Sequence, residues 1–247
     1  MGLSTELINS VKSLLDYFQQ SQWEYHPKFG LLSGLPILTR EDIRNLDMEE
    51  LHYKTVTTGS TGQPVVVQKT EEDHIWYLAT NIREIRWRKW DVTKNIVYIN
   101  GKNSRIIQDD WGIPFEIEPY QGKAFLIGFE PIEQIQKFIE EVNPHYIQCY
   151  KSIFDQLDLT KITNFIDWKG TGEKGGTCYS SEECGVIALQ CPDNPKNYHV
   201  MENQYVEVDE HNNAIITTLT NPYIKRYKNG DVIELGECTC GRKTQTI

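Results

Sequence analysis

The chain has 247 residues, 39% hydrophobic and 24% charged, with a formal net charge of -10. That is the composition of a globular chain long enough for a sizeable buried core, as one domain or one domain with a small appended lobe. The acidic balance argues against a nucleic-acid or anionic-membrane surface, since either selects a clustered basic face.

In chain order, Leu7, Ile8, Val11, Leu14, Leu15 and Phe18 recur at helical spacing, which predicts an amphipathic helix over 4–20. Ser4, Thr5 and Glu6 suit its start. A connector over 21–38 leads to a short helix capped by Thr39. Segments 54–56 and 65–68 then flank the run Thr57-Thr58-Gly59-Ser60-Thr61-Gly62-Gln63-Pro64 as a hairpin. Residues 71–90 read as helix; within it the one basic cluster, Arg83, Arg86, Arg88 and Lys89, reads as a solvated face. Short apolar runs at 96–99 and 124–127 are of buried-strand type, and a helix over 131–142 separates them from Tyr146-Ile147. This alternation predicts an α/β fold with a largely parallel sheet flanked by helices. From about residue 176 short strands follow at 186–189, 205–208, 214–218 and 232–235, with Asn212-Asn213 as a hairpin turn. The expected division is an α/β core over 1–175 and a β-rich lobe over 176–247, continuous or separate.

Glycines let the backbone approach an anion and present successive N–H groups, and Ser and Thr hydroxyls add donors without bulk, so the loop at 57–64 suits phosphate. No Lys follows its last glycine, which sets it apart from a Walker loop. A Ser/Thr/Gly-rich hairpin without a ligand has the same composition. Cysteines stand at 149, 178, 184, 191, 238 and 240. In a reducing compartment such clustering points to metal or to free thiols. Cys191, His199, Cys238 and Cys240 are a set of the kind structural zinc uses, although Cys-x7-His and Cys-x-Cys are not finger spacings; Cys184 competes as a ligand, and four buried or reduced side chains are the plainer alternative. No Gly-x-Ser-x-Gly elbow occurs. No apolar run approaches the roughly 20 residues needed to cross a bilayer, and the N-terminus fits neither a secretion signal nor myristoylation, so the expectation is a cytoplasmic protein.

Several stretches, taken in order, resemble the adenylate-forming superfamily and, within it, the phenylacetate–coenzyme A ligase-like branch that also holds coenzyme F390 synthetase-like proteins. Leu35-Pro36-Ile37-Leu38-Thr39-Arg40-Glu41-Asp42-Ile43 is similar to its LPxLTKxDL lead-in, and the loop at 57–64 to its TSGTTGxP phosphate loop. Thr70 with Asp73 is similar to TxxD, Gly172-Glu173 to GE, and Tyr179-Ser180-Ser181-Glu182-Glu183-Cys184-Gly185 to YGSTExG. Arg226-Tyr227-Lys228-Asn229-Gly230-Asp231 resembles RYxTGD, and Cys238-Thr239-Cys240-Gly241-Arg242 resembles CxCGR. The resemblance implies the adenylate-forming N-terminal core with a β-rich C-terminal lobe. It implies Glu183, or Glu182 one register away, as the carboxylate that holds Mg²⁺, a hard cation preferring oxygen, with Thr58 beside it in catalysis. Nucleotide contacts are implied for Thr57, Gly59, Ser60, Thr61, Gly62, Tyr179 on the adenine, Ser181, Asp231 on the ribose, and Arg242, the last with a structural role as its alternative. A zinc site at Cys191, His199, Cys238 and Cys240 matches some members of the branch.

The activity so implied is ATP-dependent, Mg²⁺-assisted conversion of a small carboxylic acid to its acyl-adenylate, with a thiol or amine as acceptor. Full members continue beyond CxCGR into a hinge and a mobile lid domain, and this sequence is expected to stop before them. A partner protein supplying a lid or an acyl acceptor is therefore expected, and a non-catalytic nucleotide- or acyl-adenylate-binding subunit of a larger complex is the alternative. Neither nucleic acid nor membrane is an expected partner. Trp168, Phe165 and Tyr150 are candidates for a flat acid pocket, with core packing as the plainer reading.

Overall fold

The computed structural model describes residues 3–20, 32, 34–51, 53–57, 64–100, 105–170 and 176–247. The chain forms two compact units, one made of Met1–Ile8 and Glu84–Tyr179, the other of Asn9–Arg83 and Ser180–Ile247.

Helix α1 (Thr5–Gln20) opens with the Ser4 hydroxyl accepting from the Leu7 N–H at 3.2 Å, and it buries Leu7, Ile8, Val11 and Leu15. Helix α2 (Arg40–Asn45) starts at a capping box. The Thr39 hydroxyl accepts from the Asp42 N–H, and the Asp42 carboxylate accepts from the Thr39 N–H at 2.7 Å. Strands β1 (Tyr53–Val56) and β2 (Val66–Lys69) pair antiparallel, Val56 opposite Val66 and Tyr53 opposite Lys69. Helix α3 (Glu71–Arg88) begins at a second box, in which Thr70 and Asp73 exchange N–H bonds of 3.0 and 2.9 Å, and carries the chain from one unit into the other.

The unit around Glu84–Tyr179 is built on strands β3 (Ile96–Ile99), β4 (Ile106–Gln108), β5 (Ala124–Ile127), β6 (Tyr146–Cys149) and β7 (Asp167–Gly170), ordered β4-β5-β3-β6-β7. The last four in that order are parallel; β4 joins antiparallel as an exposed edge. Helix α4 (Ile132–Val142) lays Ile135, Phe138 and Ile139 on a core with Val97, Ile99, Ile127 and Ile147. Those positions are i, i+3 and i+4, the stripe that one helix face presents. Asn143, left-handed at φ 47°, ends the helix and returns its N–H to Ile139. A one-turn helix, α5 (Lys151–Phe154), follows β6.

Strand β8 (Cys178–Ser181) leads back to the other unit, where β9 (Gly185–Gln190) pairs with β10 (Tyr198–Val200) and β11 (Gln204–Val208), β12 (Asn213–Thr218) and β13 (Tyr227–Val232) form an antiparallel sheet. The strand expected at 232–235 instead begins at Tyr227. Between β12 and β13, Asn213 opposes Val232 while Ile215 opposes Lys228, so the one residue between them on β12 faces three on β13. The surplus residues bulge, and Gly230 takes the positive φ of 93° that such a bend requires.

The expected solvated basic face is corrected at Arg83. Its side chain is only 4% exposed and makes a two-pronged ion pair with Glu202, both bonds 2.9 Å, while its guanidinium lies 3.3 Å from the Phe18 ring centre. A helical row of arginines does not reveal which one a distant carboxylate draws inward.

Candidate nucleotide and metal sites

The residues expected to bind phosphate, Thr58, Gly59, Ser60, Thr61 and Gly62, lie outside the described residues, as do Gly172 and Glu173. Thr57 and the strands on either side of that loop are described. The Thr57 side chain is buried, and its oxygen accepts from the Val65 N–H at 2.9 Å and from Arg40 Nη2 at 2.6 Å.

This hairpin is fastened to the acidic turn. The Thr55 hydroxyl donates to the Glu182 carbonyl at 3.0 Å, and Lys69 Nζ donates to the Glu183 carbonyl at 2.6 Å. Between the two acidic neighbours the turn distinguishes sharply. Glu182 is half-buried, whereas Glu183 is 6% exposed and its Oε1 accepts from the Tyr227 hydroxyl at 3.2 Å. Its Oε2 accepts no hydrogen bond among the described residues. Gly185, at φ 78°, closes the turn, and the Ser181 hydroxyl accepts from the Cys184 N–H at 3.0 Å. Burial pushes the Cys184 thiol up to about 12, so it remains protonated. Burial and the charge of Glu183 likewise push the Tyr227 phenol up, which keeps it a donor.

Lys69 escapes a reading by residue type alone. Strand β2 alternates exposed and buried, and Lys69 falls on the inward side with Val65 and Val67. Desolvation lowers its pKa, and the nearby Cys184, Asp73, Glu183 and Glu182 oppose that shift. A lysine in phase with buried valines is the signal that identifies it.

Asp231 is exposed on the β13 bulge, its carboxylate accepting from Asn229 Nδ2 at 2.6 Å. It lies four residues beyond Tyr227, at most roughly 13 Å along a strand. Tyr179 belongs to the other unit, on β8. The Thr70–Asp73 pair is engaged in holding loop 220–221: Asn221 Nδ2 donates to Asp73 at 2.7 Å, and the Thr220 hydroxyl also donates to that carboxylate.

The side chains of Cys191, His199, Cys238 and Cys240 converge, their ligand atoms all within 4.8 Å of one another. Cys191 and His199 are buried, and the two cysteines of the Cys-x-Cys run are half-buried. Burial drives the His199 pKa down to about 4, with Arg242 and Arg83 adding to the shift, so its ring is neutral. Its Nδ1 sits 2.8 Å from the Thr244 hydroxyl, leaving Nε2 toward Cys240 at 3.3 Å. N–H groups of Asn194 and Arg242 point at Cys191 and Cys240 sulfurs at 3.3 and 3.5 Å. Arg242 lies here, its Nη1 2.6 Å from Asp193 and 3.8 Å from Cys191 Sγ. Cys184 stays with the acidic turn, outside this group. Three thiols and one imidazole in one cluster fit tetrahedral Zn²⁺, and a buried carboxylate with an unengaged oxygen fits a hard divalent cation.

The aromatic candidates for an acid pocket are packed elsewhere. Trp168 stacks on Phe154 at 4.1 Å and Phe165 leans on the same ring, both against the parallel-sheet core, while Tyr150 meets Phe129 at 5.5 Å. An open groove of about 520 Å³ runs between α1 and α3, lined by Asn9, Ser13, Tyr17, Glu72 and Trp76, with none of the candidate site residues on it.

The largely parallel sheet with its flanking helices, followed by small antiparallel sheets, is a fold the chain shares with solved ligases. Among solved structures, the chain is similar to 2-hydroxyisobutyryl-CoA ligase in an open conformation with 2-HIB-AMP and CoA, at TM-score 0.59 and 14% identity over 97% of this chain and 67% of that one. It is similar to the same ligase in its thioesterification state with 2-HIB-AMP and CoA, at TM-score 0.59 and 15% identity over 98% and 65%. A postadenylation state with R3-HIB-AMP gives TM-score 0.60 at 15% identity over 97% and 65%. The chain thus spans about two thirds of the length of these enzymes. No family model and no curated protein matches it by sequence. Among the described residues no helix is long and apolar enough to cross a membrane.

Proposed function

We propose that the protein activates a small carboxylic acid with ATP, forming an acyl-adenylate. The observation that carries this reading is the joining of the β1–β2 hairpin to the acidic turn, which sets the backbone of Glu182 and Glu183 against the two strands that flank the hydroxyl- and glycine-rich loop, with the Glu183 carboxylate held by Tyr227. The fold supports it, since solved relatives of that fold hold acyl-AMP molecules. In the reaction, an oxygen of the substrate carboxylate attacks the α-phosphorus, a new P–O bond forms, and the bond to pyrophosphate breaks with its electron pair leaving on pyrophosphate. The work of the site is positioning and electrostatic stabilisation of developing charge.

Glu183 is the residue to hold Mg²⁺, whose bound charge neutralises the phosphates. Tyr227 fixes the carboxylate, and Lys69 fixes the backbone that carries it. Thr57 through Gly62 cradle phosphate, and Asp231, within a nucleotide's length of Glu183 along β13, takes the ribose hydroxyls. Cys191, His199, Cys238 and Cys240 hold a zinc ion whose role is structural, because four protein ligands leave no open position. Arg242 then serves this cluster, balancing its three thiolates. The order of the sequence motifs and this cysteine–histidine set support a reading within the phenylacetate–coenzyme A ligase-like branch, with a thiol or an amine as acceptor. None of the six cysteines forms a disulfide, which suits the cytoplasm.

The test is acid-dependent ATP–pyrophosphate exchange across a panel of small aliphatic and aromatic acids. Exchange with at least one acid, absent without Mg²⁺, is expected. Nucleotide binding with no exchange across the panel would make the protein a nucleotide-binding subunit instead.

A further inference from the structure

The five-stranded sheet has two edges, and the chain treats them differently. On β7 the Trp168 carbonyl accepts from Arg88 Nη2 at 2.8 Å and the Gly170 carbonyl from the Thr177 N–H at 2.9 Å, so that edge is closed from within. On β4, Ile106, Ile107 and Gln108 pair with Leu126, Phe125 and Ala124 on one side only. Among the described residues no other group bonds to their backbone, and all three side chains are exposed, Ile107 to 63%. A bare edge is ordinarily guarded by a lysine, a proline or a bulge, because its free N–H and C=O groups template another strand. This strand carries two isoleucines instead.

The residues across this edge fit a second copy of themselves. Arg105-Ile106-Ile107-Gln108-Asp109 has opposite charges at equal distances from Ile107. Laid antiparallel on another copy about a two-fold axis through Ile107, it sets Arg105 of each copy opposite Asp109 of the other, Ile106 opposite Gln108, and Ile107 opposite Ile107. Opposite charges across a strand pair stabilise it and like charges oppose it, so a parallel arrangement, with Arg105 facing Arg105, is disfavoured. Arg105 is exposed, held by Glu130 at 3.1 Å with its guanidinium 5.2 Å from the Phe138 ring centre. One carboxylate leaves a guanidinium with donors to spare. Asp109 is exposed and has no side-chain partner among the described residues. Ile107 stands opposite Phe125, which packs on the core that includes Phe138, so pairing two copies buries isoleucine against isoleucine at the margin of an existing core.

We infer that β4 is a self-association edge, through which two copies of this chain pair antiparallel along Ile106–Gln108 and join their five-stranded sheets into one of ten. This stands apart from the nucleotide reading. A two-fold contact uses the same patch on both copies and closes on itself, so the assembly stops at two. Three paired residues make an interface below the size of permanent ones, so the dimer is reversible and grows with concentration.

Sedimentation equilibrium from low to high micromolar concentration, on wild type, R105D, D109R, R105D/D109R and I107K, with thermal melts of each, is the experiment. Wild type is expected to pass from monomer to dimer. R105D and D109R each set like charges opposite one another and are expected to weaken the dimer about tenfold, and I107K, which brings two lysines together on the axis, at least as much. The double variant reverses the charges and keeps their symmetry, so its dimer is expected to return to within about threefold of wild type.

A wild type that is monomeric throughout, the outcome if another protein covers this edge, overturns the inference. So does growth past the dimer, a dimer indifferent to the single variants, or a double variant that dimerises no better than its parents at equal melting temperature. Should R105D fail to fold for want of its Glu130 contact, D109R and I107K decide: loss of the dimer in both supports the edge, and persistence in either contradicts it.

Discussion

The Tyr227 hydroxyl donates to Glu183 Oε1 across 3.2 Å, with both side chains buried. The pair ties the RYxNGD-like strand to the acidic turn, two stretches 44 residues apart in sequence. Y227F removes the donor and keeps the ring, leaving a buried carboxylate short of a partner. A loss of about 1–3 kcal/mol in unfolding free energy is expected from denaturant titration. E183Q keeps the shape and removes the charge. Exchange activity should fall on the order of a hundredfold while the melting curve stays close to wild type.

Removal of the cysteine–histidine cluster acts on the fold. One zinc per chain is expected by elemental analysis of the purified protein. C238A should lower that content and the melting temperature together, and a strong chelator should reproduce the shift in wild type, because metal binding free energy is folding free energy where the ligands are brought together only by folding. A melting temperature indifferent to both would leave these residues as free thiols.

The buried Arg83–Glu202 pair gives a stability prediction free of any ligand. Burial pushes the Glu202 carboxyl up and the Arg83 guanidinium down, and each opposes the other's shift. Removing one partner strands a buried charge, so R83M and E202M are each expected to cost about 3–5 kcal/mol, while the double variant R83M/E202M should cost less than the sum. Urea melts of the four proteins check this.

Asp209 governs an acid-dependent part of stability. It accepts from Lys228 Nζ at 2.8 Å and from the N–H groups of Asn213 and His211, both at 2.9 Å, holding the β11–β12 turn in which Asn212 is left-handed. These bonds, that from Lys228 first, hold its carboxyl well below the ordinary 3.8. A depressed carboxyl contributes stability that is complete above its unfolded pKa and is lost as pH falls through the folded one. The contribution should therefore be full above about pH 4 and decline below it, and D209N should flatten that part of a stability-versus-pH curve measured in wild type.

Much of this was legible in the sequence, and the exceptions have physical causes. Thr39 and Thr70 announce their helices because a cap is a local bargain between a hydroxyl and an N–H three residues on. The runs at 96–99 and 124–127 are apolar because a parallel strand is covered on both faces, and α4 shows its stripe at Ile135, Phe138 and Ile139. Strand β7, Asp-Trp-Lys-Gly, hides since its charges are spoken for by other residues: Lys169 pairs with Glu84 at 2.8 Å and Asp167 with Arg88 at 3.1 Å. The start of β13 hides behind Asn229-Gly230, which reads as a turn and folds as a bulge. At the site, the identity of Glu183 as the inward carboxylate depends on Tyr227, and the importance of Lys69 depends on what lies across from it. Local pattern reports what a residue does to its neighbours in sequence; it is silent on partners brought in from distant parts of the chain.

The most direct measurement is a crystal structure with Mg²⁺ and a non-hydrolysable ATP analogue. The expected result is the triphosphate between Thr57 and Glu183, a metal ion on the Glu183 carboxylate, and the ribose at Asp231. A nucleotide bound on another surface, or none bound at millimolar concentration, would contradict it.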